Sequence, residues 1–70
     1  MKASEITNLQ GYLRSSLSNN LIKVMKRPNA SDSVEVMIGD EFVGVIYRDD
    51  DEDEVSYQFH MTILEEDLPG

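Results

Sequence analysis

The chain has no cysteine and no tryptophan, one histidine, two prolines and only six lysines and arginines among 70 residues. Each shortage removes a class of function. Without cysteine there is no disulfide, no thiol nucleophile and no thiolate-bound zinc. A cysteine-free chain also suits a reducing cytoplasm. Long apolar runs are missing too. The longest, counting its glycine, runs from Phe42 to Tyr47, which is strand length and far short of a membrane span. Lys2 has no apolar stretch behind it, so the N-terminus does not read as a secretory leader. The scarcity of cations argues against nucleic acid, whose phosphates need Lys and Arg. The expectation is a cytoplasmic protein that binds neither nucleic acid nor membrane.

What the chain does have is acid. Fourteen Asp and Glu residues give a formal net charge of −8. Their distribution is uneven. Residues 1–30 carry Lys2, Arg14, Lys23, Lys26 and Arg27 against Glu5, five cations to one anion, a net of +4. Residues 31–70 carry Arg48 against thirteen acids, a net of −12. A chain of this size is one domain, close to the lower limit for folding alone.

Ile6, Leu9, Leu13 and Leu17 recur at helical spacing and predict a helix over residues 5–18 with one apolar stripe. Ser4 is placed as its N-cap, Glu5 suits the positive end of the dipole, and Asn19-Asn20 supplies a left-handed exit. Gly11 falls on the polar side and costs about 1 kcal/mol relative to alanine. Four strands follow, over 21–27, 33–38, 41–48 and 55–64, with a frayed tail over 65–70. Gly39-Asp40 has the form of a two-residue hairpin loop.

Pairing these strands by their loops predicts a register. Arg27 opposite Ser33 aligns Ile22 with Ile38 and Val24 with Val36. The Gly39-Asp40 loop aligns Met37 with Phe42, Val36 with Val43 and Val34 with Val45. Tyr47 opposite Val55 aligns Val45 with Tyr57 and Val43 with Phe59. Residues paired across strands share a face. One apolar face results: Ile22 and Val24; Val34, Val36 and Ile38; Val43, Val45 and Tyr47; Val55, Tyr57, Phe59, Met61 and Ile63. The helix stripe needs such a partner. The fold class is therefore α+β, an N-terminal helix packed on one face of a four-stranded antiparallel meander of order 1-2-3-4, a single domain over residues 1–70.

The opposite face is mixed. Ser56, Gln58, His60 and Thr62 are polar. Met25, Met37, Phe42 and Ile46 form an apolar patch, a candidate interaction surface that a homodimer would cover. Scattered surface hydrophobes are the plainer explanation, with the stems of Lys23 and Arg27 covering part of them. The fourth strand is also an edge able to accept another strand.

Asp49, Asp51 and Asp53 alternate like the first ligands of a calcium-binding loop, candidates for a weak metal site. The pattern then fails, because Glu54 stands where such a loop needs glycine and His60 where it needs a glutamate. A solvated acidic loop accounts for residues 49–54 more simply. His60, on the polar face, has neither a nucleophile of fixed role nor a metal-ligand partner at useful spacing. No catalytic residue and no cofactor follow from any motif.

Leu9-Gln10-Gly11-Tyr12-Leu13-Arg14, Arg27-Pro28, the stretch Asp32 to Val45 and the ending Ile63 to Leu68 carry a resemblance. Together they resemble a family of short alphaproteobacterial proteins known only as a domain of unknown function, over nearly the whole chain. The resemblance implies a bacterial cytoplasmic protein with no assigned activity and transfers no site residue. The functional expectation is a small non-enzymatic module that binds another protein or itself. The alternative is a weak divalent-cation or small-ligand binder through loop 49–54. An enzyme working through His60 is a third reading.

Overall fold

The Ile6–Leu9–Leu13 stripe winds into α1 (Ala3–Ser16), which starts two residues earlier than the sequence suggests. Ser4 lies inside the helix rather than capping it. The cap is Lys2, whose backbone N–H donates to Glu5 Oε1 at 3.0 Å, so a carboxylate in the first turn satisfies an orphan donor from within. The exit is also earlier than expected. Ser18, not the asparagine pair, takes the left-handed conformation, at φ 50. Its N–H donates to the Ser15 carbonyl at 3.3 Å, and the Asn19 N–H donates to the Arg14 carbonyl at 3.0 Å, a Schellman closure. Leu17 falls beyond the last turn and is exposed instead of joining the stripe. The computed structural model describes residues 1–51 and 53–70, so Glu52 of the acidic loop lies outside the described residues.

Four strands form one antiparallel sheet of order β1 (Ile22–Lys26), β2 (Ser33–Ile38), β3 (Glu41–Asp49) and β4 (Ser56–Met61). Where a frayed tail was expected, Glu65–Asp67 makes one 3-10 turn. No helix among the described residues is long and apolar enough to cross a membrane.

The first hairpin has the expected register, with Ile22 opposite Ile38 and Val24 opposite Val36. The second keeps Met37 opposite Phe42 and then slips. Val36 faces Gly44 rather than Val43, and Val34 faces Ile46 rather than Val45. Val43 is the extra residue of a β-bulge. From there β3 turns over: Ile46 is 2% exposed in the core, whereas Tyr47 is 45% exposed on the second face with Val45. Ile46 therefore leaves the proposed surface patch, and Val45 and Tyr47 leave the core face.

The third pairing is displaced by three residues, with Gly44 opposite Met61, Ile46 opposite Phe59 and Arg48 opposite Tyr57. Tyr57, Phe59 and Met61 nevertheless stay on the helix side, because this odd displacement cancels the turnover at the bulge. Val55 and Ile63 lie outside the strand and are exposed.

Leu13, Ile22, Val24, Val34, Val36 and Ile46 form the buried core, with Ile6, Leu9, Ile38 and Val43 packed around it. The helix lies along β1, so the core sits under that half of the sheet. Two helix side chains also seal the outer edge of β1. Gln10 Oε1 accepts from the Val24 N–H at 3.1 Å, and Arg14 Nε donates to the Ile22 carbonyl at 2.7 Å. At the other edge, all six residues of β4 are exposed.

Candidate functional site

Because α1 covers β1, an open apolar groove of about 520 Å³ is left between the helix and β4. Glu5, Asn8, Leu9, Tyr12 and Leu13 line it from the helix, and Ile46, Tyr57 and Phe59 from the sheet. Helical spacing puts Leu9 and Leu13 on the stripe that faces the core, so one row of side chains serves both core and groove. Gly44 sets the depth of the sheet wall. A Cβ there would meet the Phe59 ring at 2.7 Å, so the missing side chain lets that ring lie over the strand.

A polar clasp closes one end of the groove. The Tyr57 hydroxyl donates to Glu5 Oε2 at 2.7 Å. Arg48 Nε lies 3.1 Å from the same oxygen, and its Nη1 donates to Asp50 Oδ2 at 2.9 Å. The buried Nε–H is not aimed along its contact, which is an ion pair rather than an aligned hydrogen bond. The Lys2 backbone N–H and then the Tyr57 hydroxyl hold the Glu5 carboxyl below its ordinary range, with Arg48 adding to the effect. The hydrogen bond to Glu5 and then burial hold the Tyr57 phenol above its own. At neutral pH the carboxylate stays ionised and the phenol stays protonated. The pair is a mechanical tie between the first helix and the last strand, and neither group is poised to exchange a proton.

Of the residues singled out from the sequence, the structure pairs Met37 with Phe42 across β2 and β3 and keeps Met25 on their face, but it separates Ile46 from them. Met25 and Phe42 are exposed and Met37 is half-buried on the second face, but Ile46 is inside. On that face His60 meets the Tyr47 ring edge-on, with centroids 5.3 Å apart. Asp49 Oδ1 accepts from the Asp51 backbone N–H at 3.2 Å. Among the described residues no three His, Asp or Glu side chains gather where they could hold a metal ion. The groove and its clasp were missed. A tyrosine on an apolar strand face was the available signal, since a phenol turned inward needs a hydrogen-bond partner. Nothing in local spacing connects it to Glu5.

No curated protein and no solved structure matches the chain. A family model does, over residues 5–67, which takes in the clasp, the groove and every strand. The chain belongs to the family described as protein of unknown function (DUF3126).

Proposed function

We propose that this protein is a non-enzymatic interaction module whose docking surface is β4 with the adjoining groove. The observation that carries this reading is the exposure of all six β4 residues, three of them large and apolar on the helix side. The total surface supports it. The chain exposes 5479 Å², whereas a compact monomer of 8.0 kDa exposes roughly 4,500 Å². The excess of roughly 1,000 Å² is spread over β4, the acidic loop before it and the tail after it, since every described residue from 49 to 70 is exposed. The acidic charge favours a protein partner over nucleic acid, and a chain without cysteine fits work in the cytoplasm.

Site-specific photo-crosslinking in the source cell tests this. A photoreactive residue at Gln58 should trap one discrete protein, or a second copy of the chain, while the same residue at Thr7 on the exposed helix should not. Matching, diffuse products from both positions would refute the reading. Calcium-dependent amide shifts confined to Asp49, Asp50 and Asp51, without any crosslink from Gln58, would favour the divalent-cation alternative.

A further inference from the structure

The two edges of the sheet are built oppositely. The β1 edge carries Lys23 and Lys26, runs into Pro28, and has its outward N–H and C=O at Val24 and Ile22 taken by Gln10 and Arg14. Charge, proline and covering side chains are the usual protections against strand addition. The β4 edge has none of them. Residues 55–64 contain no Lys, Arg, Asp, Glu or Pro, and they alternate apolar with polar. Among the described residues nothing covers the outer side of β4. The strand is bracketed by acid at both ends, with loop 49–54 before it and the turn Glu65–Asp67 after it.

We propose that β4 receives an extended segment of another protein by strand addition, and that this segment has Lys or Arg at both ends and alternating apolar residues between them. The inference rests on the docking reading above and names its partner class. Backbone pairing to β4 would supply the attachment. The alternate side chains would extend the row of Tyr57, Phe59 and Met61 and roof the open side of the groove. The basic ends answer the acidic brackets in either strand direction.

A second copy fits worse. Antiparallel pairing of two β4 strands about their midpoint would lay Asp50 and Asp51 of one copy beside Asp67 and Glu66 of the other, between chains that each carry −8. The basic β1 strand of another copy is a poor substitute, because its Val24 N–H and Ile22 carbonyl are already taken by Gln10 and Arg14.

The test is selection of a random 12-residue peptide display library on the intact chain, followed by amide mapping and titration of synthetic peptides. Enriched peptides should carry Lys or Arg at both ends, alternate apolar residues between, and shift the amides of β4 and its groove. Their affinity should fall about tenfold in D53K/E66K, whose changes lie on exposed positions outside the strands, and should fall again at high salt. Peptides that map to β4 without basic ends, or that bind D53K/E66K equally well, would overturn the partner class and leave the docking reading standing. So would sedimentation showing a dimer that a β4 substitution such as Gln58→Lys dissolves. Enrichment of nothing, or only of peptides that map away from β4, would overturn both.

Discussion

A methyl group at Gly44 would meet the His60 carbonyl oxygen at 2.3 Å and the Phe59 ring at 2.7 Å. The first obstacle is backbone and cannot swing away. Gly44→Ala should therefore cost about 2 kcal/mol or more, read from urea unfolding, as overpacked sites do. The β3–β4 amides should lose protection before those of β1 and β2. Glu5 offers a second residue-level test, through pH. Its carboxyl is held below the usual value, so its contribution is present above the unfolded pKa and is lost as pH falls through the lowered folded value. The stability gap between wild type and Glu5→Gln should narrow with acidification over that interval. Tyr57 has the opposite sign: its pKa is raised, so its contribution holds below the ordinary phenol value and fades as pH climbs through the folded one. Denaturant midpoints that keep the same gap at pH 7 and pH 3 would count against the Glu5 tie.

At the scale of the elements, the sequence was most readable where pairing is local. A five-residue loop and alternating β-branched residues, Ile22 and Val24 on one strand and Val34, Val36 and Ile38 on the other, left one sensible register for β1 and β2, and that register is observed. The β2–β3 hairpin begins as expected and then takes in one extra residue at Val43, which alternation alone does not signal. The signal was Gly44, since glycine inside a strand marks a bulge or a close backbone approach. The long acidic loop then set no register for β4. The expected face of Tyr57, Phe59 and Met61 survived only because the two displacements offset each other. Helix ends were misplaced by two residues because Glu5 caps from inside and a serine, not an asparagine, turns left-handed. That serine makes a prediction: Ser18→Gly should stabilise the fold by about 1 kcal/mol, seen as a higher melting temperature, by removing the side-chain cost at φ 50.

For the whole molecule, the helix on a four-stranded meander was legible because one helical stripe needed an apolar sheet face, and Ile22, Val24, Val34 and Val36 supply one even though Val45 and Tyr47 turn away from it. The site was not legible, because it depends on where the helix lies across that face. The stripe shows that α1 packs on the sheet but not that it keeps to β1. That sideways placement opens the groove and brings Glu5 to Tyr57, 52 residues later in the chain. It also leaves β4 uncovered, and this has a consequence for the protein as a material. An uncharged, proline-free strand of alternating apolar residues is a seed for cross-β stacking, held apart at neutral pH by the acids on either side. The net charge that keeps copies apart vanishes at the isoelectric point near pH 4.3. Acidified stocks should turn turbid and bind thioflavin, Gln58→Lys should delay that onset, and a peptide seated on β4 should suppress it. Solubility on acidification would thus report whether the partner is bound.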